Sequence, residues 1–434
     1  MRETDLLIIG AGPTGLGAAV RAVERRLDYL LVERADGPGG MAASVTDRAG
    51  FTWDLGGHVL HSHFDHFDKA IAESGVPLRF PRRNGWVWLA GELVRTPIQQ
   101  QLSELPDDLR PDAPAANLAE FYRNHCGSEL TARFFRPFTE KMWATPLEQV
   151  DHRWTSLRNG SAEPNVPKLK VASADAAEPP AVHFPYPEGG TGRLWQAIAG
   201  RLDSDRLGYG LAVQRIDPVA RVAWLSDGST VRYRECVSSM PLPALLAATD
   251  GLEALAEQTA TELKHCRTYA IGLGFAGSPP PALADKSWLY CPDRSVAWQR
   301  ATVLSNYDPG LAGEGRWSIL FEIGRSDYRP VSDADALASV RRSVTELGAD
   351  LGQLASTWDC DLPLGYPVPT LGRDALLRAA DSALTAAGIR SRGRFGGWRY
   401  ESCNQDYSWA QGVQAVDAAL DGIEEDVYWH PERY

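Results

Sequence analysis

"LLIIGAGPTG" at residues 6–15 runs from an apolar stretch directly into Gly10, Gly12 and Gly15, spaced as G-x-G-x-x-G. The apolar run suits a buried parallel strand, and "LGAAVRAVERR", which follows the glycines, carries a helical pattern. A second strand pattern within "YLLVER" at 29–34 ends on Glu33, 18 residues beyond Gly15. Each residue type has a mechanical reason to be there. Gly10 permits a tight turn, Gly12 lets the backbone approach a pyrophosphate, and Gly15 lets the helix pack on the strand. The helix N-terminus stabilises phosphate charge, and a carboxylate at Glu33 can bind a ribose hydroxyl. A glycine triplet alone is a weak signal, but a full strand–loop–helix–strand unit with the acid in place points to an α/β dinucleotide-binding domain.

A second glycine loop, "GPGGMAAS" at 37–44, follows Glu33, and "FTWDLGGHVLH" comes next at 51–61. An NAD domain would continue into its next strand–helix unit here, whereas a second loop suits an extended FAD. His58, His61, His63 and His66 crowd the following segment, but their spacing matches no compact ligand motif, so no metal is expected. From Ser62 onward Phe64, Phe67 and Ile71 share one helical face, which leaves His63 and His66 as surface or cap residues. His58 differs, because it follows Gly56 and Gly57, where backbone can approach a flat ring.

The chain has 434 residues, enough for two or three domains and a full core. With 44 Lys and Arg against 56 Asp and Glu the formal charge is −12, which argues against nucleic-acid and anionic-membrane partners. An anionic small ligand in a locally basic pocket stays open. The six cysteines, at 126, 236, 266, 291, 360 and 403, form no C-x-x-C pair and read as reduced thiols. No charged leader with an apolar signal core opens the sequence, and no apolar run approaches roughly 18 residues. The expectation is a cytoplasmic protein without a membrane partner.

Further along, 83–97 is strand-like with a turn at Ala90-Gly91, 98–175 is mostly helical, and "FPYPEGGTG" at 184–192 opens a helix. Residues 211–240 read as a β-meander with an Asp-Gly turn at 227–228, 264–330 is strand-rich, and 333–347 and 373–387 are helical. The dinucleotide domain is therefore expected to be discontinuous. It takes 1–82, 190–263 and 388–434, with a helical substrate domain at 98–175 and an antiparallel sheet domain from 83–97, 176–189 and 264–387.

Several stretches resemble the UDP-galactopyranose mutase family, especially its eukaryotic-type branch: "DLGGHVLHSHFDHFD", "RPFTEKMWATP", "FPYPEGGTGRLW", "WQRATVLSNYDPG", "LGYPVPTL" and "SRGRFGGWRYESCNQDYSWAQGVQAVD". The resemblance spans nearly the whole chain. It implies a Rossmann-like FAD domain with an inserted helical domain and an antiparallel sheet domain, and an isomerase acting on a nucleotide-linked hexose. UDP-galactopyranose to UDP-galactofuranose is the first choice of reaction. In that family N5 of reduced FAD attacks the anomeric carbon and no net redox change occurs. NADPH or NADH would be the reductant, and the protein would be a monomer or a homodimer. An FAD-dependent oxidoreductase of the amine oxidase type, which shares the fold and the N-terminal motifs, is the alternative.

Carried over residue by residue, the resemblance implies catalytic roles for His58, Arg158 and Arg300, the two arginines gripping the pyrophosphate. It implies FAD contacts from Gly10, Gly12, Thr14, Gly15, Glu33, Gly39, Gly40, Met41, Gly56, Gly57, His58, Val213, Arg394, Asn404, Gln405 and Asp406. The "NQD" at 404–406 precedes a helical pattern, so a helix N-terminus would face the negative charge of reduced flavin. Substrate contacts are implied for Gln99, Phe134, Trp143, Arg158, Tyr290, Arg300, Tyr307, Tyr366 and Tyr400. Two positions depart from the family pattern. Thr96 stands where eukaryotic-type relatives carry an aromatic residue, and Thr139 where they carry an asparagine, both expected at the nucleotide end. Selection for uridine is expected to be weaker as a result.

Overall fold

The computed structural model describes residues 1–157, 169–171 and 181–434. The N-terminal unit is built as its pattern requires. β1 (Arg2–Ile9) is buried along its last four residues, α1 (Pro13–Glu24) starts with proline in its first turn, and β2 (Tyr29–Glu33) lies parallel to β1. The seven-stranded sheet around them draws strands from distant sequence. Thr230–Ser238 pairs in parallel with β1, Leu207–Tyr209 with β2, and Ile389–Ser391 with the end of Thr230–Ser238. Val213–Asp217 and Val222–Leu225 add the antiparallel meander.

The C-terminal helix Gln405–Asp421 lies against α1 at near-backbone contact: a Cβ on Gly412 would stand 2.0 Å from Thr14 O. Arg21–Asp417 and Arg25–Asp421 pairs continue the contact outward. This packing carries the start of the C-terminal helix to the glycine loop some 390 residues away in sequence.

The second sheet also has seven strands. Leu354–Pro367, His265–Ala276, Arg316–Arg325, Arg300–Thr302 and Trp288–Tyr290 run antiparallel in that order. Gly85–Leu89 joins Trp288–Tyr290 in parallel, so the sheet is not purely antiparallel, and Glu92–Arg95 completes the hairpin. One consequence is a row across neighbouring strands in which Val87 opposes Tyr290, Tyr290 opposes Arg300 and Arg300 opposes Glu322. Residues opposite one another share a face of the sheet.

Helices between 118 and 157 stand over the hairpin end. Leu118–Cys126 is capped by Asn117, whose side chain accepts from Glu120 N. The next helical run widens at Thr131–Phe135 before Arg136–Trp143, a local expansion that recurs at functional sites. α2 (Asp65–Ser74) buries Phe67 and Ile71 as its pattern requires. Among the described residues, no helix is long and apolar enough to cross a membrane.

Candidate active site

Gly10, Gly12 and Gly15 occupy the turn from β1 into α1, with Gly12 as the residue that caps the helix. Gly39 and Gly40 take positive φ of 110° and 53°, which folds the second loop back so that a Cβ on Gly40 would lie 3.3 Å from Gly12 Cα. Two backbones therefore meet with no side chain between them. Glu33 accepts from Ala11 N and Ala35 N, both at 2.8 Å, which fixes its carboxylate beside the glycine turn with lone pairs left for a diol. Thr14 is buried, Met41 is half-buried, and Val213 turns its side chain into the core. This bare-backbone cradle at a helix N-terminus, with an acid at the neighbouring strand end, fits a dinucleotide.

A cavity of about 560 Å³ opens between the second sheet, the helices and the C-terminal segment. Of the residues expected at the site, Gly57, His58, Gln99, Phe134, Tyr290, Arg300, Tyr307, Tyr366, Arg394, Tyr400, Asn404, Gln405 and Asp406 line it. Gly56 lies directly beneath, where a Cβ would stand 3.2 Å from Glu322 Oε1. The loop at 56–57 rests on the Arg300 face of the sheet and so carries His58 into the cavity.

Arg300 is held by Glu322 in the adjacent strand through Nε and, at 2.8 Å, through its second nitrogen. The carboxylate is almost wholly buried, and the guanidinium, desolvated yet beside Glu322, stays charged with its pKa well above the ordinary value. Burial pushes the Tyr366 phenol up to about 12 and raises Tyr290 and Tyr307 as well, so all three present O–H donors. Arg394 sits over the Tyr366 ring at 5.2 Å, and the Tyr366 and Tyr400 rings are 5.8 Å apart. Desolvation lowers the His58 pKa, which favours a neutral imidazole. A cation with several hydroxyl donors around one space is an arrangement that binds a dianion such as a diphosphate.

The C-terminal stretch is organised from behind. Gln411 is buried, accepting from Gly393 N at 2.9 Å and donating to Ser402 O at 2.7 Å, so it ties the glycine-rich loop to the turn before the helix. Glu401 is paired with Arg373 at 2.6 and 3.2 Å, both almost fully buried. That pair sets the backbone on which Tyr400 stands. Trp195 Nε1 donates to Gln405 Oε1 at 2.8 Å, and indole can only donate, so the Gln405 NH₂ is left as a donor.

Some expectations change. Trp143 does not line the cavity. It is fully buried behind the wall, with its ring 5.0 Å from Tyr400 and 5.3 Å from Trp154, so its role is support. Thr139 is likewise buried, and its hydroxyl engages Tyr122, while its neighbour Phe138 faces the cavity because helical spacing turns adjacent residues apart. Thr96 does line the cavity, with its hydroxyl donating to Gly85 O at 2.8 Å. His63 is at the surface, as expected, and His66 is half-buried, but each holds a partner and neither caps the helix. His63 Nδ1 meets Asp406 Oδ2 at 2.6 Å, His66 accepts from Trp409 Nε1 at 3.0 Å, and Phe64 occupies the cap position of α2. Arg158 lies outside the described residues.

Glu322 and Arg83, which also line the cavity, carried no local sequence signal. Arg83 stacks over Trp288 at 5.7 Å. Only the strand register makes Glu322 the partner of Arg300.

Residues 8–72 match the NAD(P)-binding Rossmann-like domain family. Over 72 residues the chain is 40% identical to thioredoxin reductase of Bacillus subtilis (strain 168), which covers 16% of this chain and only 22% of that protein. Cyclohexylamine oxidase from Brevibacterium oxydans IH-35A superposes with a TM-score of 0.73 over 96% of this chain and 99% of its own, at 17% identity, a likeness of fold alone. The crystal structure of reduced UDP-galactopyranose mutase superposes with a TM-score of 0.90 at 34% identity, covering 99% of this chain and 98% of that one. Identity at that level along the full length of both chains settles the relationship: the chain belongs to the UDP-galactopyranose mutase family.

Proposed function

We propose that this chain is an FAD-dependent mutase that interconverts the pyranose and furanose forms of a nucleoside-diphosphate hexose, with UDP-galactose the first substrate to try. The observation that carries the reading is the meeting, in one cavity, of Arg300 with the phenols of Tyr290, Tyr307, Tyr366 and Tyr400 and the donor-rich start of the Gln405–Asp421 helix. When bound, reduced FAD supplies the nucleophile that displaces the diphosphate from the anomeric carbon. The protein's own residues bind and orient. Arg300 and the phenols hold the diphosphate while it is detached, so that it can return to the same carbon. The Gln405 NH₂ and the helix N-terminus favour negative charge on the flavin ring. Neutral His58 can accept or return a proton at the sugar hydroxyls. Arg158, carried over from the family motif, is proposed as a second diphosphate ligand.

An oxidase of the same fold would need an apolar path for an amine, whereas this cavity carries Arg83, Arg300 and Arg394. The test is incubation of purified protein with UDP-galactopyranose, with and without dithionite, followed by chromatography. The expected result is a yellow protein that releases FAD on denaturation and forms the furanose only when reduced, without stoichiometric consumption of reductant. Amine oxidation with matching peroxide, and no sugar product, would overturn the reading. NADPH and NADH are then compared as physiological reductants by the bleaching of the flavin bands.

A further inference from the structure

Asp406 stands in the first turn of the Gln405–Asp421 helix, is buried, and lines the cavity. Its Oδ2 meets His63 Nδ1 at 2.6 Å, the Tyr407 backbone N–H lies close to the carboxylate, and Oδ1 is buried with no well-formed hydrogen bond among the described residues. The two partners differ sharply in exposure, 42% for the His63 side chain and 1% for Asp406. Imidazole and carboxylate thus form a relay whose outer end touches solvent and whose inner end faces the cavity. Complementing a helix dipole requires neither burial nor a histidine, and burial carries a desolvation cost. That desolvation also raises the Asp406 pKa, so the pair holds protons more readily than an exposed carboxylate.

The surroundings of the pair are defined. His61 faces Asp406 from the same loop as His63. The Tyr407 ring lies 5.3 Å from His63, with its hydroxyl turned to the main-chain oxygens of Pro431 and Tyr434, and Phe64 closes the other side with an apolar ring. Across the cavity stand His58, Arg394 and the Arg300–Glu322 pair.

Resting on the reading of this cavity as a flavin site, we propose that His63 and Asp406 form a proton-accepting pair that takes one proton from solvent when the flavin is reduced. Hydride from a reduced nicotinamide, or two electrons from dithionite with a proton from water, leaves the flavin with one added proton and one added negative charge. The second proton enters at the exposed His63 Nε2. The pair passes from neutral imidazole with carboxylate, net charge −1, to imidazolium with carboxylate, net charge zero. Electrons and protons balance, and the total charge of the site is the same before and after reduction.

The experiment is the midpoint potential of bound FAD, read from its absorbance against reference dyes between about pH 7 and 9, for wild type, His63→Asn and Asp406→Asn. Asparagine at 63 keeps an N–H donor toward Oδ2 but cannot take up a proton, so a merely structural contact would leave the pH profile unchanged. The flavin's own titration is common to all three proteins. In wild type, two protons per two electrons lower the reduction equilibrium about hundredfold per pH unit through the window where the pair titrates. In both variants the fall is about tenfold, or ~30 mV rather than ~60 mV for a two-electron couple. A wild-type profile with the one-proton slope throughout, or a His63→Asn profile identical to a two-proton wild type, would overturn the proposal. Protein that cannot be loaded with FAD overturns the flavin reading and the pair's role together. Loaded protein with equal slopes overturns the pair's role alone.

Discussion

The two ends of the cavity are held in different ways. At one end Tyr290, Arg300 and Glu322 are fixed by cross-strand register and a bidentate ion pair, and Tyr366 and Tyr400 by ring contacts 5.8 Å apart. At the other, Thr96, Ile98, Gln99, Phe134, Phe138 and Met142 form a mostly apolar pocket organised by ring packing, with Phe134 and Phe138 stacked at 5.4 Å. Charged groups in a low dielectric have few acceptable arrangements, because each must keep its partner. Apolar contacts are tolerant of what they hold. The first end should therefore be intolerant of substitution and the second permissive in what it binds.

The harshest way to break that comparison lies behind the charged end. Glu401→Ala removes the more buried of the two carboxylates that hold Arg373 and leaves only Asp374, at 2.8 Å, so the cost should approach but not reach the about 3–5 kcal/mol of a buried charge that loses its partner outright. A drop in the melting temperature is expected, with part of it recovered by Arg373→Met combined with Glu401→Leu, which leaves Asp374 to the buried Arg399. The pH dependence carries a sign. Arg373 holds the Glu401 carboxyl below its usual range against the opposing effect of burial. The pair's contribution is present above the unfolded carboxylate value of about 4.3 and is lost as pH falls through the lower folded value. The stability difference between wild type and Glu401→Gln, measured by denaturant titration, should be flat from about pH 7 to 5 and shrink below about 4. A difference that changes near neutrality would implicate another group.

Arg300→Ala tests the charged end directly. Because the alanine would leave the buried Glu322 unpaired, the variant is combined with Glu322→Gln; a charge-assisted contact is worth about 1.5–3 kcal/mol, so kcat/KM for the nucleotide sugar should fall about 10- to 150-fold while FAD stays bound. Unchanged kinetics would remove Arg300 from the substrate site.

The apolar end predicts a smaller discrimination. Thr96 offers no ring to a base, and stacking of a base on an aromatic side chain is worth about 1–3 kcal/mol in nucleic-acid complexes. Dissociation constants of reduced protein for UDP, dTDP, GDP and ADP should lie within about a hundredfold of one another. A UDP preference above that would show that Gln99 and the phenylalanines read the base without Thr96. The mildest effect is expected for Phe134→Leu, which gives up ring contacts with Phe135 and Phe138 but keeps an apolar side chain in the pocket, so nucleotide binding should weaken only several-fold.

The glycine loops and Glu33 were legible because their chemistry is local. The spacing of Gly10, Gly12 and Gly15 encodes a turn and a helix start within one unit. The helical patterns at 333–347, 373–387 and beyond 404 were equally readable, since amphipathic period is a property of consecutive residues. Trp143 and Thr139 were misread for a related reason. Family position names a neighbourhood, but the direction of a side chain on a helix decides whether it faces a cavity or the core behind it.

By itself, then, the sequence determined a dinucleotide cradle, several of the helices and the family, each carried by short runs whose residues act on their neighbours, while the long strand Leu354–Pro367 and the helices Leu242–Ala248 and Glu253–Glu262 went unread. Only the tertiary structure decided what faces what across a gap. Strand register put Glu322 opposite Arg300 at a separation of 22 residues. Helix packing through Gly412 brought Asp406 within 2.6 Å of His63, 343 residues apart. Such pairings depend on register and on crossing geometry, set by the whole core. A one-residue slip in the strand would put Glu322 on the opposite face, and one along the helix would turn Asp406 by about 100° away from His63.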